Sequence, residues 1–126
     1  MRLRMPKRIA TIGGVLISIS GVMNVVLGAT IGAMFYEVYP GGWMGHVGII
    51  AGIIAVVIGF LILLVVIPLY EQTRRVMLVL AGILTIVLGH AGAVAGAIYV
   101  GTVGMIMCYV AGIWVVIAAV GRTKTP

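Results

Sequence analysis

Negative charge is nearly missing from this chain. It has no aspartate, its two acidic residues are Glu37 and Glu71, and only 8% of its 126 residues are charged. A soluble domain is roughly 25% charged and 45–50% apolar. At 63% hydrophobic, with a mean hydropathy of +1.35, this chain is not one. Disorder is excluded by the same figures, because an unfolded chain needs high charge and little apolar surface. Without aspartate no Ser–His–Asp triad can be built. A proton-driven pump needs a carboxylate inside the membrane, and both glutamates lie at the ends of apolar runs. No lysine stands in a glycine-rich loop of the kind that cradles phosphate. The single cysteine, Cys108, excludes an intrachain disulfide, and no Cys/His pattern has zinc-site spacing.

What charge there is sits in three short clusters. Arg2, Arg4, Lys7 and Arg8 open the chain, Arg74 and Arg75 lie near its middle, and Arg122 and Lys124 close it. A nucleic-acid surface needs its basic residues on one folded face, interleaved with aromatic or polar groups. These clusters instead border long apolar runs, where anionic lipid headgroups attract each Lys or Arg by about 1 kcal/mol. All eight are therefore read as headgroup contacts at a membrane edge, and nucleic acid is not a partner.

The apolar runs set the architecture. The first extends from about residue 9 to 35, longer than the ~20 residues that cross a ~30 Å hydrocarbon core and longer than the ~7–15 of a signal peptide. Pro40-Gly41-Gly42 breaks the chain, with Tyr36, Tyr39 and Trp43 as interface aromatics. A second span is expected over 47–69. From Val76 to Gly121 there is no charge, yet one helix of that length would be about 69 Å long, more than twice the core. A reversal is expected at Tyr99-Val100-Gly101-Thr102, with spans near 76–98 and 103–120. Four spans place all eight Lys and Arg on one side, which the positive-inside rule makes cytoplasmic. The expected fold is a single all-α integral membrane domain, a four-helix bundle with both termini cytoplasmic, in the plasma membrane of a prokaryote.

Small residues recur every seven positions. Gly14, Gly21 and Gly28 do so in the first span, Gly45, Gly52 and Gly59 in the second, Gly82, Gly89 and Gly96 in the third, and Gly104, Ala111 and Ala118 in the fourth. Residues seven apart stay near one helix face. Lipid tails give helices no hydrophobic reason to associate, so small residues that admit a close backbone form the contacts. A left-handed bundle crossing near +20° is expected. Gly14–Gly21 resembles Gly82–Gly89 at a shift of 68, and Ala51-Gly52-Ile53 resembles Ala111-Gly112-Ile113 at a shift of 60. A helical hairpin copied once would produce both.

Few polar groups interrupt the spans. Asn24 shares the small-residue face of the first span and reads as interhelical glue through a hydrogen bond of its amide, with a solute or ion ligand as the other reading. Ser18, Ser20 and Thr85 can return their hydroxyls to the preceding helical turn. Glu71 stands three and four residues before Arg74 and Arg75, the spacing of a helix-end ion pair. His90 is the most suggestive residue, because an ionisable group inside a membrane is a functional hypothesis by default. Met34, Met44, His46, Met105, Met107 and Cys108 fall in the same outer half. His90, Met105 and Cys108 are thus candidate ligands for copper or, through His90, haem, against packing or hydrogen bonding. The only other histidine, His46, precedes the second span at the outer surface, so the isolated chain is expected to bind no haem and no cofactor.

The leading functional reading is a non-catalytic accessory subunit of a larger membrane complex, in a respiratory or other membrane oxidoreductase assembly. A small self-associating channel or carrier is the alternative, with Asn24 and the glycine faces lining a path. A haem- or copper-binding membrane subunit using His90 is the third. The partners expected are the lipid bilayer and other membrane subunits or further copies of the chain.

Overall fold

A computed structural model describes residues 3–35, 43–96 and 98–121. Every regular element among them is helical, and four helices are long and apolar enough to cross a membrane. In hydrocarbon each backbone N–H and C=O must be paired within its own segment or in a closed barrel. Long runs of Leu, Ile, Val and Ala without a charge take the helical solution. Helix α1 is Arg4–Phe35 and α2 begins as Trp43–Leu61. The second helix continues through a π-helical turn, Ile62–Val66, and closes with Ile67–Leu69. Pro68 has no N–H to give to the carbonyl four residues back. The register relaxes just ahead of it, where Ile67 N–H bonds the Ile62 carbonyl five residues away. Helices α3 (Arg75–Ala95) and α4 (Ile98–Gly121) complete the chain.

The reversal between α3 and α4 falls earlier than its sequence suggests. Helix α3 stops at Ala95, Gly96 is extended (φ −97°, ψ −174°), and Tyr99–Thr102 already belong to α4. Two contacts explain the shift. Asn24 Nδ2 on α1 donates to the Ala95 carbonyl at 3.0 Å, satisfying one of the orphan acceptors at the end of α3. Gly101 lies inside α4 because a Cβ there would meet the Ala93 backbone at 3.3 Å, so its lack of a side chain serves packing and not a turn.

The helices pack in ring order, α1 against α2 and α4, α3 against α4, and α2 against α3. Ile17, Ile62, Val66, Leu78, Cys108 and Val115 are fully buried and fill the centre. The outer surface is almost wholly apolar, as at Leu64, Val94 and Ile117.

Within each hairpin, α1–α2 and α3–α4, the two helices meet at a reciprocal glycine contact. A Cβ on Gly21 would stand 2.6 Å from the Gly52 carbonyl oxygen, and one on Gly52 would press on the Gly21 carbonyl in return. Between α3 and α4 the same exchange joins Gly82 and Gly112, at 2.7 and 2.6 Å. In this geometry the counterpart of Gly21 is Gly82, 61 positions on, and not Gly89; Gly112 follows Gly52 by 60. The sequence shift of 68 between α1 and α3 therefore gives way to 61. The two pairs are also staggered along the axis. Asn24 is level with the end of α3, and α1 continues eleven residues to Phe35, about 16 Å further.

Candidate functional site

Most of the polar side chains within the spans are consumed by the bundle itself. Ser18 and Ser20 return their hydroxyls to the carbonyls of Gly14 and Ile17. Thr85 Oγ1 donates to the Ala81 carbonyl at 2.7 Å, and lies 2.7 Å from the hydroxyl of Tyr70. Thr85 has one proton and gives it to Ala81, so Tyr70 is the donor in that pair. Tyr70 follows α2 directly, just past the second span. It is buried, and burial pushes its phenol up to about 12.

The glycines of the seven-residue series occupy several kinds of contact. Gly14 faces Ile62 and Leu63, Gly28 lies beneath Gly48, and Gly59 faces Ser18 and the Gly14 carbonyl. Gly89 is covered by Cys108, Gly96 by Ser20, and Ala111 is fully buried. Gly13, Gly92 and Gly112, off the seven-residue series, and Gly104 within it make contacts as close. Gly13 and Gly92 are signalled in sequence by Gly14 one position away and Gly96 one turn away, whereas Gly112 has no glycine within a turn.

The candidate metal ligands do not share a direction. Cys108 is fully buried, its sulfur against Gly13 and Gly89. His90 is exposed on the outer surface, and Met105 is partly buried on α4. Among the described residues no three His, Cys, Asp or Glu side chains come together. The side chains of Met34, Met44 and His46 lie outside the described residues, as do Arg2, Arg122 and Lys124. Arg4, Arg8, Arg74 and Arg75 are exposed at the end where α1 starts and α2 meets α3. Glu71 pairs with Lys7 of α1 and not with Arg74 or Arg75. The residues after it leave the helical path, Arg74 being extended at ψ 126°, so no helical i,i+3 or i,i+4 spacing exists there.

Among the described residues, His90 presents an ionisable side chain on the outer face of a candidate span. His90 stands on α3 five residues, or about 7 Å, from the helix end. Its Nδ1 is 2.7 Å from the hydroxyl of Tyr109 on α4, with the rings 17° from parallel and centroids 6.2 Å apart. If the phenol donates, the imidazole keeps its proton at Nε2; in the other tautomer Nε2 is an acceptor. Either way Nε2 has no protein partner among the described residues. Tyr109 also lines a shallow apolar groove of about 480 Å³ along α4, with Ile106, Val110, Ile113, Trp114 and Ile117. The unpaired Nε2 and the aromatic-lined groove thus lie side by side on the outer surface.

No family model, curated protein or solved structure matches the chain. The class that the fold itself defines is a small helical protein with four candidate membrane spans.

Proposed function

We propose that the protein is a non-catalytic accessory subunit of a larger assembly in the plasma membrane of a prokaryote, with both termini cytoplasmic. The observation that carries this reading is the His90–Tyr109 pair. An imidazole turned toward hydrocarbon is costly, and a partner helix laid along the α4 groove would give Nε2 its missing hydrogen bond. Interhelical bonds of this kind contribute roughly 0.6–2 kcal/mol. The tip of the α1–α2 pair adds to it: Val26, Leu27, Val47 and Ile50 are half-exposed beyond the end of α3. The filled centre speaks against a conduit through one copy of the bundle. The reciprocal glycine pairs support reading the two hairpins as copies of one ancestor.

The test is gentle solubilisation of the native membrane followed by identification of what co-purifies with the chain. A fixed-stoichiometry heteromeric partner is expected, and His90→Leu should release it while leaving the chain's own helicity and melting unchanged. Purification as a homo-oligomer with no second chain would overturn the reading in favour of a channel or carrier. A Soret band lost in His90→Gln would overturn it in favour of a haem subunit.

A further inference from the structure

At the end of the molecule opposite the α1–α2 tip, the first turn of α1 and the α2–α3 loop enclose a cavity of about 340 Å³. Arg4 and Lys7 enter it from α1, and Glu71, Gln72 and Thr73 from the loop. The buried side chains of Leu3 and Tyr70 form its apolar side. Lys7 is tied to Glu71, which fixes the loop against α1 and leaves the other N–H bonds of the ammonium to point elsewhere. Arg4 has no ion-pair partner among the described residues. Two cations against one carboxylate leave the cavity positive, and Arg8, Arg74 and Arg75 are exposed at the same end of the bundle. The uncharged run of α1 begins at Ile9 and α2 ends at Leu69, so the cavity lies level with both span ends. That is the depth of lipid phosphates.

We propose that this cavity binds the phosphodiester headgroup of an anionic membrane lipid. The Arg4 guanidinium presents a planar fork of donors suited to two phosphate oxygens, and Lys7 adds a point charge. Gln72 and Thr73 supply uncharged donors for the oxygens of the headgroup. The volume is at the lower end of the ~300–1,000 Å³ found for small-molecule sites. It holds a headgroup and not acyl chains, which run along the exposed apolar flanks.

Native mass spectrometry of the full chain in uncharged detergent, with equal phosphatidylglycerol and phosphatidylcholine, tests this. One phosphatidylglycerol should be retained at about tenfold preference, the equivalent of roughly 1.4 kcal/mol. Arg4→Gln should weaken it about fivefold, on the order of one headgroup-cation contact. Gln72→Trp fills the cavity without removing charge and should weaken it as much, whereas the double change Arg74→Gln/Arg75→Gln, at residues that do not line the cavity, should cost less than Arg4→Gln alone. All replaced side chains are exposed, and an unchanged melting transition checks that each variant folds. Preference that survives both Arg4→Gln and Gln72→Trp overturns the proposal, as does an equal loss from the Arg74/Arg75 variant, which would mean diffuse surface charge. Displacement by millimolar glycerol phosphate would make a soluble phosphate ester the ligand and overturn the lipid assignment; no displacement is expected.

Discussion

Tyr70 shows how a single side chain at a span end acts on the middle of another helix. It gives its proton to Thr85, which passes its own to the Ala81 carbonyl, so the chain of donors ends on a backbone acceptor. Tyr70→Phe removes one buried hydrogen bond while leaving the ring in place. A loss of about 1 kcal/mol is expected, read as a lowered thermal or denaturant midpoint in detergent. The pH dependence has a definite sign. Burial raises the Tyr70 phenol from 10.0 to about 12, so its contribution is fully present below pH 10 and is lost as pH rises from there through the folded value. Tyr70→Phe should flatten stability across that alkaline window. Glu71 behaves in the opposite sense. The hydrogen bond and charge of Lys7 hold its carboxyl below the ordinary value of 4.5. The tie between α1 and the loop is thus present above that pH and loosens as pH falls through the lowered value, an effect that Lys7→Gln should abolish.

Between helices, what counts is whether a glycine faces backbone or a movable side chain. At Gly21 the nearest groups are the Gly52 carbonyl oxygen at 2.6 Å and the Val56 nitrogen at 2.7 Å, neither of which can rotate away. Gly21→Leu must separate α1 from α2, and a cost of about 1–3 kcal/mol or more is expected from overpacking. Gly89→Leu meets the Cβ of Cys108 and should act similarly between α3 and α4. Ile54→Leu changes an exposed position and should shift stability by less than about 0.5 kcal/mol. Equal stability of all three variants would show that these crossings are not where the helices are held. The seven-residue spacing made Gly21 and Gly89 legible in sequence. It could not pair them, because periodicity describes one helix face and says nothing of the face opposite. Register between helices needed the contacts, which is why the 68-residue shift became 61.

At the scale of the whole molecule, the three basic clusters and the four spans make a topological prediction. A cysteine at Thr73 should react with a membrane-impermeant thiol reagent from the cytoplasmic side, and one at Gly42, which lies outside the described residues, only from the other side. Labelling of both from one face would rule out the four-span arrangement. The native Cys108 is fully buried and should stay silent in both experiments. The stagger between the two hairpins has a consequence for assembly. A bilayer matched to the ~31 Å of the 21-residue α3 leaves the last turns of α1 near or beyond its surface, which on the proposed accessory-subunit reading is where a partner would meet the chain.

Composition and hydropathy by themselves determined that the chain is helical, that four of its helices are long and apolar enough to cross a membrane, and where most of them lie. The reason is physical: in hydrocarbon a backbone has almost no alternative to the helix, and length against bilayer thickness does the counting. Asn24 was legible as an interhelical hydrogen-bonding group, but neither its donor role nor its acceptor was. Tertiary structure alone decided that this acceptor is the end carbonyl of α3, that the reversal comes at Gly96 and not at Tyr99–Thr102, and that Glu71 leaves its neighbouring arginines for Lys7. It also decided that His90 faces outward beside Tyr109 while Cys108 turns into the core. Which way a side chain points around a uniformly apolar helix depends on which neighbour lies on each side. Where almost every position is hydrophobic, local sequence carries little record of that choice.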